Sequence, residues 1–217
     1  MRVEVWSDIT CPWCYVGLAR FSKAVEGFEH GSSVQVEHRS FELDASAPTE
    51  VSGSNLEMLA RKYGGSREQI LAMEQRVAAQ AEAEGLEYVP ERPIGNTFLA
   101  HRVLHLAAAK GLRDELRDAI WHEHFGLGRN VFDAASLLPL AVSVGLPTEA
   151  VENVLGSEEF AAEVRSDEAR ASAVGVNGVP FFVLGDLDGE AQVFGVSGAQ
   201  PLEGFRQALG QAWAAQR

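Results

Sequence analysis

Only two thiols occur in this chain of 217 residues, and they stand three positions apart in Cys11-Pro12-Trp13-Cys14. That spacing suits a disulfide that opens and closes. The motif follows an apolar run, Val3-Glu4-Val5-Trp6, and precedes a helical pattern. A strand that ends in C-x-x-C and opens a helix is the layout of a redox dithiol. Cys11 falls at the helix start, where unpaired N–H groups and the helix dipole favour an anion. A helix-start thiolate in C-x-x-C can have its pKa lowered from about 8.5 into the range of roughly 3.5–7.5. Cys14 lies one turn on, within reach of Cys11. Cys14, Leu18, Phe21, Val25 and Phe28 recur at steps of four and three. They predict one apolar stripe with Cys14 buried in it and Cys11 exposed ahead of it. Cys11 is therefore the expected nucleophile and Cys14 the resolving thiol. Pro12 suits the first helical turn, where a missing N–H costs nothing. Trp13 is expected to be partly exposed, either to meet substrate or to rest on a neighbouring helical segment.

Two plainer chemistries fit the same spacing. C-x-x-C is half of a zinc site, but without a second such pair two histidines would have to complete it. An inert bridge across three residues closes too short a loop to stabilise much. Of the other candidates, His101 and His105 share a helix face and suit either a metal or a packed core. His122 and His124 point to different faces, so a joint site is not expected. Asp8, three residues before Cys11, suits either a proton acceptor for Cys14 or a cap on the first helix.

The elements that must position these groups follow from pattern. The length suits one domain, or one domain carrying a large insertion. With 31 acidic and 18 basic residues the formal charge is −13, which argues against nucleic acid or an anionic membrane as partner. The N-terminus shows no apolar leader pattern and no segment is long enough to span a bilayer, so a cytoplasmic protein is expected. In a reducing compartment a lone cysteine pair reads as catalytic or sensing.

Val3 to Trp6 reads as a buried strand, Pro12 to Phe28 as the first helix, and Val34 to Phe41 as a second strand, giving a right-handed parallel βαβ unit. Leu43 to Gly53 reads as a linker. A run of six or seven helices follows, with capping boxes at Ser54–Glu57 and Ser66–Gln69 and with Asn96-Thr97, Asp133, Thr148 and Ser157 as further helix starts. The last of these helices is expected over about Glu158 to Val174. Phe181–Leu184, a turn at Asp186–Gly189 and Ala191–Phe194 read as a hairpin. Gln200 to Gln216 closes the chain as a helix with Leu202, Phe205, Leu209 and Trp213 on one face. Strands occur only near the two ends. The expected organisation is one α/β domain from residues 1–50 and 175–217, with an all-helical subdomain, 51–174, inserted.

The order of these landmarks resembles the DsbA-like members of the thioredoxin superfamily, in particular their FrnE-like branch. The matching pieces are Asp8-Ile9-Thr10-Cys11-Pro12-Trp13-Cys14-Tyr15-Val16-Gly17, Phe41-Glu42-Leu43, and Asn96-Thr97-Phe98-Leu99-Ala100-His101-Arg102. Further on come Gly175-Val176-Asn177-Gly178-Val179-Pro180-Phe181-Phe182 and Val196-Ser197-Gly198-Ala199-Gln200-Pro201. The resemblance implies an α/β thioredoxin fold with an inserted helical subdomain, strand order 2-1-3-4, and dithiol–disulfide oxidoreductase activity. It implies that Pro180 is cis and faces the C-x-x-C, leaving the Val179 backbone to pair with an extended substrate. It also places His101 at the border of the cleft, without a catalytic role. Disulfide- or dithiol-bearing proteins or small molecules are the implied partners. No metal, flavin or nicotinamide site is visible, so electrons are expected from another thiol, with glutathione as a candidate. Related 2-hydroxychromene-2-carboxylate isomerases and kappa-class glutathione transferases usually carry a serine as the helix-start nucleophile. Two alternatives remain: a glutathione-dependent isomerase or transferase of that type, and a chaperone-like binding module with regulatory cysteines.

Overall fold

A computed structural model describes residues 1–51, 53–189 and 191–216. The expected linker, Leu43 to Gly53, includes Ser52, which lies outside the described residues. The chain divides into two compact units, Met1–Leu43 with Asp167–Arg217, and Asp44–Ser166.

The first unit is built on four strands in the order β2-β1-β3-β4: β1 (Arg2–Ser7), β2 (Gln35–Ser40), β3 (Phe181–Leu184) and β4 (Phe194–Ser197). β1 runs parallel to β2, and β3 is antiparallel to both β1 and β4. Strand alternation sorts the side chains. The pairs Val5↔Phe182 and Val3↔Leu184 point to one face. There Phe182 meets Phe21 of helix α1 (Pro12–Glu26) and Phe205 of the C-terminal helix α9 (Leu202–Ala215), with ring centroids 4.9 and 4.8 Å apart. On the opposite face Trp6 and Val183 pack with Ala171 and Val176. The sheet is thus covered on both sides, which is why β1 reads as a nearly continuous apolar run.

β4 begins three residues later than expected, at Phe194 rather than Ala191. Asp186–Gly189 does turn, with the Gly189 N–H donating to the Asp186 carbonyl at 3.1 Å. Asp188 pairs with Arg170 at 3.0 Å, and the ladder resumes at Leu184↔Phe194.

The second unit is helical. It holds α2 (Asn55–Tyr63), α3 (Arg67–Ala83), α4 (Phe98–Ala109), α5 (Arg113–Trp121), α6 (Ala134–Ser143) and α7 (Thr148–Gly156), and α8 (Ala161–Ala173) starts within it. Capping boxes open α2 and α3 as expected, and the Asp133 carboxylate accepts from the Ser136 N–H at 2.9 Å to open α6. Thr148 is the first helical residue of α7 and Pro147 its cap, so Thr148 is not the cap. α8 starts at Ala161, not Glu158. Phe160 sits at φ 62°, outside helical space, and the carbonyls before it are taken by Arg102. That guanidinium donates to the Val154 carbonyl at 2.7 Å, to the Glu159 carbonyl at 2.9 Å, and to the Ser157 carbonyl.

A buried clamp links α3 to the segment before α4. Arg92 and Tyr88 both donate to the Glu74 carboxylate at 2.7 Å, and the Arg92 guanidinium lies 4.8 Å from the Tyr88 and Phe125 rings. No helix among the described residues is long and apolar enough to cross a membrane.

Candidate active site

β1 delivers the chain at Ser7 to a short turn, and α1 starts at Pro12. The helix cap is Cys11 itself: its sulfur accepts from the Cys14 N–H at 3.3 Å. A sulfur is an unusual cap, since oxygen side chains are the common choice. Here the capping atom is the first sulfur of the motif, and an amide N–H that holds it favours a thiolate over a thiol.

Cys11 is not exposed, contrary to the expectation from the apolar stripe; it is 3 % accessible, against 0 % for Cys14. The reason lies far along the chain. The Cys11 thiol donates to the Val179 carbonyl at 3.4 Å, so the segment before β3 closes against the sulfur. Trp13, between the two, is the exposed member of the motif at 42 %. Both cysteines are free thiols. Burial pushes the Cys14 thiol well above its ordinary pKa, and the Cys11 sulfur beside it adds to the shift. The Asp8 backbone amide pulls the other way, while its carboxylate pushes up.

The Val179–Pro180 bond is cis. The segment is seated by two further contacts. The Gly198 N–H donates to the Pro180 carbonyl at 2.8 Å, and the Arg20 guanidinium on α1 donates to the Ala199 carbonyl at 3.1 Å. Asp8 is buried next to the motif and does not cap α1. Its carboxylate accepts from the Leu43 N–H at 2.8 Å and from the Thr10 hydroxyl at 3.3 Å.

The structure thus brings Asp8, Cys11, Cys14, Val179 and Pro180 together within the sheet-bearing unit. His101 lies on α4 of the helical unit, 2 % accessible. His124 is buried while His122 is exposed beside Glu87 at 3.3 Å, so these two do face apart. Among the described residues no three His, Cys, Asp or Glu side chains gather as a metal site.

The DSBA-like thioredoxin domain family matches residues 2–210. The chain belongs to that family. A probable DsbA oxidoreductase from Streptomyces coelicolor, known by its crystal structure, is 49 % identical. The likeness covers 99 % of this chain and 90 % of that one, at a TM-score of 0.91. YwbO, an uncharacterized protein of Bacillus subtilis, is 26 % identical over 189 residues, 86 % of this chain and 88 % of its own. The cytosolic disulfide reductase DsbM of Pseudomonas aeruginosa, in its structure with GSH, shares the fold at 18 % identity and a TM-score of 0.66, over 99 % of this chain and 100 % of that one.

Within this DSBA-like frame, Gly17 and Ala199 both stand in the matching pieces, but nothing in the sequence set them against each other. A signal was present, because a glycine inside an otherwise good helix marks a close approach. What approaches it comes from more than 160 positions away and has no local signature.

Proposed function

We propose that the chain is a thiol–disulfide oxidoreductase that works through Cys11 and Cys14 on disulfides of proteins or small molecules. The observation that carries this reading is the pairing of a helix-capping sulfur at Cys11 with a buried second thiol at Cys14. The Cys11 thiolate attacks a substrate disulfide, forming one S–S bond and expelling one substrate thiolate. Cys14 then gives up its proton and attacks Cys11, releasing the second substrate thiol and leaving the Cys11–Cys14 disulfide. Two electrons pass from the dithiol to the substrate. Two thiols of a small carrier restore the dithiol and become a disulfide themselves. Glutathione is the carrier we propose, and the glutathione-bound relative of the same fold supports trying it. No resident cofactor is needed. Trp13 and the Val179 backbone are the proposed contacts for the substrate, and the reducing cytoplasm is the proposed setting.

Asp8 is proposed as the acceptor for the Cys14 proton. With Asp8→Asn the Cys14 thiol is expected to titrate lower, because the carboxylate that pushes it up is gone. It stays above the ordinary thiol range, because burial is the larger cause. A carbon-13 titration of the Cys14 Cβ checks the direction, and a slowed resolving step checks the role.

The deciding test is equilibration in glutathione buffers with thiol trapping as readout. A single two-electron transition with both cysteines blocked at the oxidising end is the expected result. A pair that stays reduced in strongly oxidising buffer overturns the reading and leaves a glutathione-dependent isomerase to be assayed.

A further inference from the structure

We infer that Gly17 is a positioning residue. Its missing side chain lets the segment carrying Val179 and Pro180 sit close enough to set the hydrogen bond on the Cys11 sulfur. This rests on the redox reading above and adds to it a determinant outside the C-x-x-C.

Gly17 lies inside α1, where glycine is less favourable than alanine. Its backbone is not left-handed, so no local conformation calls for glycine. The structure supplies a different reason. A Cβ at 17 would stand 2.9 Å from the Pro180 Cγ and 3.2 Å from both the Cα and the Cβ of Ala199. The proline ring and the 199 backbone cannot swing aside as a flexible side chain does. Arg20, one turn on, donates to the Ala199 carbonyl at 3.1 Å, so the same part of α1 both admits and holds this neighbour. Ala199 adjoins Gly198, whose N–H donates to the Pro180 carbonyl at 2.8 Å. Pro180 carries Val179, whose carbonyl accepts from the Cys11 thiol at 3.4 Å. The contacts form one connected path from Gly17 to the reactive sulfur.

That last bond exists only in the dithiol, because a disulfide has no S–H to donate. It therefore favours the reduced form. A Cβ at 17 lifts the segment, weakens the bond and shifts the pair toward the disulfide. In the exchange, one dithiol and one glutathione disulfide give the protein disulfide and two glutathione thiols, so the equilibrium constant reads the effect. A net hydrogen bond of about 1 kcal/mol corresponds to a several-fold change.

The test compares wild type, Gly17→Ala and Gly210→Ala, the last a helix glycine in α9 with open space around its Cβ position. Gly17→Ala is expected to favour the disulfide about threefold to tenfold over wild type, with Gly210→Ala unchanged. Cys11 alkylation by iodoacetamide, followed by mass spectrometry of the 11–14 peptide, reads the same seat without any disulfide. It is expected to rise at least about threefold in Gly17→Ala, as the covering segment lifts from a buried sulfur. Arg20→Met, which removes a hydrogen bond without adding bulk, is expected to move both readouts in the same sense by less. An unchanged alkylation rate in Gly17→Ala overturns the inference, and so does an unchanged exchange constant beside a normal wild-type transition. If wild type forms no disulfide at all, the redox reading fails, and the alkylation rate alone still decides the role of Gly17.

Discussion

Cys11→Ser is expected to abolish the reduction of insulin disulfides, and Cys14→Ser to leave a protein that stops at the mixed disulfide. Loss of the attacking atom removes turnover by a factor on the order of 10³ or more. Loss of the second thiol spares the attack and blocks release, so about one substrate equivalent per chain stays bound and is recovered by a reductant. The asymmetry follows from the two environments. Cys14 is sealed in the stripe of α1, and burial holds it protonated well above the ordinary thiol range. The sulfur of Cys11 adds to that upward push. Once Cys11 is tied to substrate it carries no thiolate charge, and that part of the push disappears. Cys14 is thus restrained while Cys11 attacks and eased when its own turn comes. Non-reducing electrophoresis with a disulfide-bearing peptide checks both variants. Full turnover by Cys11→Ser, or mixed disulfides that accumulate on Cys11→Ser rather than Cys14→Ser, would sink the assignment of roles.

The parts of this arrangement that depend on near neighbours were legible in the sequence. The spacing of the cysteines, Pro12 at the helix start and the stripe through Leu18 and Phe21 fix α1 and the burial of Cys14. The helical insertion followed from strands that occur only near the two ends, while the strand order and the cis proline came through the family likeness. What pattern did not reach depends on contacts across long separations. The helical stripe gives Cys11 no partner, and the resemblance kept the Val179 backbone for a substrate, so its cover of Cys11 went unread and exposure was the wrong expectation. The start of α8 shifted because Arg102, on another helix, occupies the carbonyls that precede it. Glu4 lies in the strand expected to be buried and is itself fully buried, but the sequence pattern named no partner for its charge. Its partners stand 35 and 166 residues away.

Those partners make Glu4 the residue whose loss should cost the sheet-bearing unit most. The Arg170 guanidinium grips its carboxylate with two bonds, at 2.7 and 2.8 Å. Arg39 on β2 adds a third at 2.8 Å and reaches the Asp167 carboxylate at 3.1 Å. Asp167 in turn accepts from the Ser40 N–H at 2.8 Å, while its carbonyl accepts from the Trp6 indole at 3.0 Å. β1, β2 and the C-terminal half of α8 are thereby tied through one carboxylate. Removing it leaves Arg170 only Asp188, and Arg39 only Glu37 and Asp167, without the buried carboxylate on which both converge, and breaking a buried pair in this way costs about 3–5 kcal/mol. Glu4→Gln keeps the shape and loses the charge, so about 3 kcal/mol is expected, or roughly 6–12 °C in Tm for a chain of this size. The acid limb supplies an independent check. Burial pushes the Glu4 carboxyl up, but Arg170 and Arg39 outweigh it and hold its pKa below the ordinary value of 4.5. A depressed carboxylate contributes stability that is fully present above its unfolded value and disappears as pH falls through the folded one. Wild type should therefore lose stability faster than Glu4→Gln as pH drops below about 4.5, and the two urea midpoints should converge. Parallel acid limbs would mean that Glu4 binds its proton equally in the folded and unfolded chain, and the tie between β1, β2 and α8 would then rest on Asp167 instead.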